Sequence, residues 1–314
     1  MKIRTLLGAL VFQALHSHVL AQEEEEDEGI RSIYLFKDVM KSNTTALKTS
    51  GFNTLIIFGI GMLANGDIVY YSNTPGSSDV LVASNGTYTG GDELAAKVRS
   101  FKEGDPDEGG GERTTTTTTV NRVEISMNAQ NVREQMAAYD PAAPPEGSAA
   151  YRNFAALREA WRLDAVNNDD ESIYDAGSTV AFARMLGRAG YRYTIAPYDA
   201  GVAAFWRQVV TAARQEDAGN PLLDRVYLQV YDGGAANLPG GWQEYLGMKV
   251  VPLLWVINDS KPQFGQSPAQ ARDRFSRWSR EDGVAGGGYW NDYDIEKMGS
   301  SYDEYAAVLN DIFP

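Results

Sequence analysis

The segment Arg162–Asp175, RLDAVNNDDESIYD, gathers Asp164, Asp169, Asp170 and Glu171 around the amides of Asn167 and Asn168. Clustered carboxylates suit general acid–base chemistry, because each charge hinders its neighbour's ionisation and can keep one acid protonated at neutral pH. The run follows a short apolar step and reads as a strand end entering a loop. Side chains alternate along a strand, so Asn167, Asp169 and Glu171 are expected to face one way and Asn168 and Asp170 the other. Asp169 and Glu171 would then have Cα atoms about 6.6 Å apart, two strand steps. The plain alternative is an acidic turn that caps a helix and solvates a loop.

The residue inventory narrows the chemistry. Lys2 and Arg4 precede a largely apolar run, Leu6 to Leu20, that ends in Val19-Leu20-Ala21. This is the charged, apolar, small-residue order of a secretory signal peptide, so residues 1–21 are expected to be removed and the mature protein secreted. That leader contains both histidines, His16 and His18, and the chain has no cysteine. A mature chain without His or Cys excludes a Ser-His-Asp triad, a Cys nucleophile and a His- or thiolate-bound metal. Asp, Glu, Tyr and Lys remain for moving protons. The net charge of −14 leaves no basic face for phosphates, so nucleic acid is not an expected partner. The acidity itself reads as solubility, and residues 22–29 as a disordered acidic lead-in. No apolar run reaches the roughly 20 residues of a membrane span.

Positioning elements recur with a regular beat. Apolar runs of strand length lie at Arg31–Phe36, Thr54–Phe58, Arg122–Met127, Asp164–Asp169, Arg192–Ala196, Arg225–Tyr231, Lys249–Val256 and Val284–Trp290. Between them, helical spacing groups Phe154, Leu157 and Trp161; Phe182, Met185 and Leu186; Phe205, Val209 and Ala213; Ala271, Phe275 and Trp278; and Tyr302, Tyr305 and Leu309. Ser267-Pro268 and Gly283 bracket one helix, and Ser301 and Glu304 have capping-box spacing before the last. Strands alternating with helices give a parallel sheet, and eight such units predict an α/β fold, a closed (β/α)8 TIM barrel over residues 30–314, with a doubly wound sheet as the alternative. Asn65-Gly66 signals a hairpin after the second strand. The stretch Arg99–Thr119, with its EGDPDEGGGERTTTTTT core, reads as a low-complexity insertion before the third. Gly59, Gly61 and Gly66 lack dinucleotide-loop spacing, and no cofactor is expected.

In such a barrel the strand C-termini carry the chemistry, and there the chain resembles a known family. Asp164, Asn167, Asp169 and Glu171 fall on the Asp-x-x-Asp-x-Asp-x-Glu signature of glycoside hydrolase family 18, the chitinases and endo-β-N-acetylglucosaminidases, on its fourth strand. LQVYDGG, Leu228 to Gly234, is similar to the family's sixth strand with its Tyr, and GGYWNDYD, Gly287 to Asp294, to its eighth with its Trp. Within the family the chain looks closest to secreted fungal and bacterial barrels that bear the name of a coagulation factor 5/8-type domain, although no discoidin-type sandwich is visible. The resemblance implies a retaining, substrate-assisted glycosidase, the exception to the usual two-carboxylate scheme. In it Glu171 protonates the glycosidic oxygen, Asp169 orients the substrate's 2-acetamido group, and Tyr231 holds the acetamido carbonyl. Three departures stand out. Asn167 replaces an Asp, Ser126-Met127-Asn128-Ala129 lacks the family's paired glycines, and Asp170 replaces a common aromatic.

Trp255 and Trp290, at the ends of the seventh and eighth strands, are candidate sugar platforms, with core packing as the alternative for each. Gln229, Asp232, Asn291 and Asn128 are further candidate substrate contacts, and Asp292 beside Asn291 could bind hydroxyls. The expected partner is a polysaccharide or glycan containing 2-acetamido sugars, and the expected state is a monomer. Two other functions stay open: a non-catalytic carbohydrate-binding or inhibitory relative, and a glycosidase with a conventional nucleophile. Asn43, Asn85 and Asn258 each begin an N-x-Ser/Thr sequon.

Overall fold

The computed structural model describes residues 28–104, 117–214 and 221–314. The leader, most of the acidic lead-in and the centre of the low-complexity insertion lie outside the described residues. Eight strands, β1 (Ile30–Leu35), β2 (Thr54–Met62), β3 (Arg122–Met127), β4 (Ala165–Asn168), β5 (Arg192–Ile195), β6 (Leu223–Gln229), β7 (Val251–Val256) and β8 (Gly286–Trp290), pair parallel in sequence order. β1 pairs with both β2 and β8, which closes the sheet into a barrel. Helices α1 (Thr44–Thr49), α2 (Asp92–Glu103), α3 (Ala149–Trp161), α4 (Ala176–Arg188), α5 (Ala203–Arg214), α6 (Pro239–Leu246), α7 (Pro268–Asp282) and α8 (Tyr302–Ile312) follow the strands one by one. Among the described residues no helix is long and apolar enough to cross a membrane.

Strand alternation sorts the chain into two cores. Ile33, Leu35, Leu55, Ile57, Val166 and Leu254 point outward and pack under the helices with Phe154, Trp161, Phe275 and Tyr305, all buried. Each such burial contributes about 1.5–3 kcal/mol. Tyr34, Ile56, Tyr227, Tyr231 and Leu253 point inward and form a second, smaller cluster inside the barrel. At the closing strand there is no room for side chains: a Cβ on Gly287 would lie 2.7 Å from Leu309 Cδ2, and one on Gly288 would lie 2.1 Å from Ser32 Oγ. The GGG run of β8 thus lets helix and strand backbones close the seam.

Caps follow the sequence. Ser267 and Gln270 form a complete capping box at α7, whose end is marked by Gly283 at φ +60°. Ser301 caps α8 through the N–H of Asp303 rather than that of Glu304, so the expected capping box does not form there. The Asn65-Gly66 turn returns as strand Ile68–Tyr70, antiparallel to β2, and the insertion continues through Val80–Ser84 and Thr87–Tyr88. Two segments are more ordered than composition suggests. Glu28, at the end of the acidic lead-in, pairs with Arg31 at 2.6 Å and accepts from Asn121. At the insertion's edges α2 runs to Glu103, and Thr118 and Thr119 donate to the carbonyls of Phe101 and Phe52.

The three sequons differ. Asn85 is exposed at an Asn-Gly hairpin tip, φ +51° and +75°, the pattern of a type I′ turn. Exposed Asn43 caps α1 through its oxygen, a bond that modification of the nitrogen leaves intact. Asn258 is buried, its nitrogen donating to Val256 and its oxygen accepting from Ser260 and Lys261. Routed through a eukaryotic secretory pathway, the folded protein is expected to carry glycans at Asn85 and Asn43 and none at Asn258. Peptide mass mapping checks this, and an occupied Asn258 would contradict it.

Candidate active site

The carboxylates of the opening segment divide into distinct jobs. Asp164, at the N-terminal end of β4, pairs with Lys102 at 2.7 Å and accepts the N–H of Val123, a structural tie remote from the barrel mouth. Asp170 turns away from the barrel and accepts the N–H groups of Ser172, Ile173 and Tyr174 at 2.7–3.0 Å, stapling the loop. Asp175 caps α4 through the N–H of Ser178. The plain alternative therefore holds for two of the acids, Asp170 in the loop and Asp175 at the helix cap. Asp169 and Glu171 face the other way. The Asp169 N–H still donates to the Met127 carbonyl at 2.9 Å, which extends the ladder past the last strand residue and preserves its inward facing.

Inside the mouth the two carboxylates meet one donor. Gln229 Nε2 lies 3.1 Å from Asp169 Oδ1 and 3.3 Å from Glu171 Oε1, and 3.3 Å from the Ala196 carbonyl. Asp169 is half-buried while Glu171 is exposed at the rim. Loss of hydration, reinforced by the charges of Glu171 and Asp170 and only partly offset by the Gln229 bond, pushes the Asp169 carboxyl up to about 8. At pH 7 the Asp169 carboxyl therefore keeps its proton. Burial likewise raises Tyr34 and Tyr231 well above the usual phenol range, so both hydroxyls keep their hydrogens.

The carboxylates open onto a cavity of about 210 Å³ lined by Tyr34, Phe58, Asp169, Glu171, Tyr198, Gln229, Tyr231, Asp232, Trp255 and Trp290. Larger hollows of about 680 and 730 Å³ lie on the flank and at the opposite end of the barrel, away from the strand C-termini where chemistry is expected. Trp290 is held edge-on by Phe58, with ring centres 4.8 Å apart, and by Phe36 and Tyr34. Trp255 leans on Tyr231 and donates its indole N–H to Asp294 at 2.8 Å, so its ring is fixed. Asp232 pairs with Lys261 across the rim.

Of the sequence-derived candidates, Asp169, Glu171, Tyr231, Gln229, Asp232, Trp255 and Trp290 line this one cavity. Asn167 lies directly beneath, fully buried, accepting from Tyr34 and donating to Thr194. Two candidates, and one neighbour, sit elsewhere. Asn291 is buried, and both atoms of its amide engage Asp294, so it is a helix cap and not a sugar contact. Asp292 is fully buried and accepts from the N–H groups of Phe36 and Lys37 and from Ser42 Oγ; burial raises it to about 7. Asn128 is exposed and folded onto the N–H of Gln130, outside the lining, because the chain has left the sheet after Met127. Sequence reasoning passed over Tyr34, Phe58 and Tyr198. For the first two, the same alternation applied to β1 and β2 was the available signal.

No protein-family model matches the chain, and no curated protein sequence matches it. Solved structures do. The catalytic domain of a family GH18 chitinase from the fern Peteris ryukyuensis matches at a TM-score of 0.56 and 13% identity, over 90% of this chain and 98% of that one. An immunomodulatory active chitinase from Trichuris suis matches at 0.55 and 8%, over 91% and 100%. A class V chitinase from Nicotiana tobaccum matches at 0.55 and 9%, over 90% and 99%. The fold is therefore the closed (β/α)8 barrel of the family 18 chitinases. The narrower likeness to barrels named for a coagulation factor 5/8-type domain finds no support.

Because the folded state raises Asp169 from 3.8 to about 8, it holds a proton there that the unfolded chain releases above pH 4. This contribution to stability is present below pH 4 and is lost as pH rises toward 8. An Asp169→Asn variant lacks that loss, so its melting temperature should gain on the unaltered protein between pH 5 and pH 8. Thermal denaturation at both pH values measures the gap; a gap that stays constant would refute the assignment.

Proposed function

We propose that this protein is a glycoside hydrolase that cleaves glycans containing 2-acetamido sugars with retention, using the substrate's own acetamido oxygen as nucleophile. The observation that carries the reading is the convergence of Asp169 and Glu171 on the Gln229 amide, inside an aromatic-walled cavity at the C-terminal end of a chitinase-like barrel. Glu171 at the rim gives its proton to the glycosidic oxygen as the anomeric C–O bond breaks. The acetamido oxygen closes on the anomeric carbon, and Asp169, deeper in the cavity, accepts the acetamido N–H as that group becomes positive. The Tyr231 hydroxyl donates to the acetamido oxygen. Water then opens the oxazolinium ring and returns a proton to Glu171, which acts as base. Trp290 and Trp255 offer ring faces to the apolar face of the sugar. Export directed by residues 1–21 is part of the proposal.

The productive form has the transferable proton on Glu171 and the charge on Asp169, where a bound acetamido N–H favours it. Two oxygens sharing one amide nitrogen also lie roughly 5–6 Å apart, within reach of the spacing of a conventional retaining pair. This favours, as second reading, a glycosidase in which Asp169 is itself the nucleophile. An N-acetylhexosamine thiazoline, which mimics the oxazolinium, separates the two: it inhibits the first enzyme and leaves the second untouched.

Glu171→Gln is expected to lower kcat by about 10²–10⁴-fold while glycan binding persists, and equal behaviour of both forms would favour a binding protein. For the unaltered enzyme, kcat/KM on an acetamido oligosaccharide should fall on the alkaline side near pH 8, as Asp169 of the free enzyme gives up the proton that the reaction needs. A profile flat to pH 10 would contradict this.

A further inference from the structure

Beneath the cavity floor lies a carboxylate for which the mechanism above has no use. Glu124 of β3 is fully buried, paired with Arg122 at 2.7 Å, with Arg225 at 3.9 Å, and it accepts from the Tyr227 hydroxyl at 2.8 Å. Its second oxygen lies 2.7 Å from Thr194 Oγ1. An ion-paired carboxylate only accepts, so the single hydroxyl hydrogen of Thr194 points down to Glu124. Thr194 then presents a lone pair to its next neighbour, Asn167, whose Nδ2 donates to it at 3.0 Å. With that nitrogen turned down, Asn167 Oδ1 faces the Tyr34 hydroxyl at 2.9 Å and takes its hydrogen. Every hydrogen bond in this column points toward Glu124.

We propose that Glu124 is a positioning residue for the site: through Thr194 and Asn167 it draws the Tyr34 hydrogen downward, so that Tyr34 offers Asp169 a lone pair instead of a donor. Asn167 is then a fitted part of the column. A carboxylate at that position would set two lone pairs against Thr194, whereas an amide supplies the N–H that Thr194 needs and the carbonyl that Tyr34 needs. The groups facing Asp169 are Glu171 and Asp170 on its own strand end, Gln229, Tyr231 and Asp232 from the end of β6, Tyr34 from β1 and Tyr198 from the loop after β5. Among the bonds described, only Gln229 donates to Asp169. The orientation of Tyr34 therefore decides whether Asp169 meets a second donor, and withholding it keeps the carboxyl neutral until an acetamido N–H arrives. That catalytic meaning rests on the function proposed above; the orientation of the column does not.

The test uses carboxyl carbon NMR on the full chain labelled in aspartate, with the Asp169 signal identified by its absence in Asp169→Asn. Thr194→Val keeps the shape and cuts the column, and Asn167→Leu cuts it one step higher. Either frees the Tyr34 hydrogen to turn toward Asp169, and the Asp169 midpoint should drop by roughly one pH unit, while Thr194→Ser should leave it in place. A folded Thr194→Val or Asn167→Leu protein with an unchanged or higher midpoint overturns the proposal. Neutron diffraction of the unaltered protein reads the same point without substitution: nuclear density for the Tyr34 hydrogen on the Asn167 side supports it, and density on the Asp169 side refutes it. Neither measurement needs turnover. A lowered midpoint in a protein that cleaves no acetamido glycan would sink the function and leave the column standing, and an unmoved midpoint in an active enzyme would do the reverse.

Discussion

Two carboxylates at the mouth of one cavity, one half-buried and one at the rim, repel one another unless something holds them together. Here that is a single side-chain amide. Gln229, itself buried, reaches Asp169 and Glu171 with one nitrogen. An amide brings no charge of its own, so it only partly offsets the burial and repulsion that raise Asp169. A lysine in the same place would bring a full positive charge and draw the Asp169 carboxyl back down. The neutral bridge sets the distance between the two acids at the aromatic wall.

That bridge is a product of barrel closure. β4 and β6 are separated by β5 in the sheet, and their ends converge because the sheet curves until β1 meets β8. The closing strand allows this by having no side chains at Gly287 and Gly288, where helix and strand leave no space. Inside, the ion-paired layer of Arg122, Glu124 and Arg225 fills the base of the cylinder, with aromatic rings above it. Burying such charges is weak evidence of added stability; its effect here is to fix the direction of the hydrogen bonds that rise from it.

The fold was legible because its two periodicities are strong: two residues along the strands, three to four along α3, α4, α5, α7 and α8. α1, only six residues long, is too short to show a period, and α2 abuts a low-complexity run that masks it. In the site, alternation separated Asp169 and Glu171 from Asp170, and it held past the end of β4 because the Asp169 N–H remains in the ladder. The same extrapolation failed for Asn128, where nothing continues the ladder beyond β3, and for Asn291, whose short amide found a nearer partner in the following helical turn. Tyr198 and the downward column from Tyr34 to Glu124 join β1, β3, β4 and β5, strands far apart in the chain. No local pattern announces such a meeting.

Asp170 has an implication for how this site is read by mutation. Its carboxylate holds three consecutive loop N–H groups immediately after Asp169, and Glu171 stands inside the turn so formed. The backbone that carries the acid at the rim is thus set in place by its covalent neighbours. Under the proposed function, a survey that replaced each acid in turn would find Asp170 as damaging to lose as its neighbours, although its carboxylate holds only the loop.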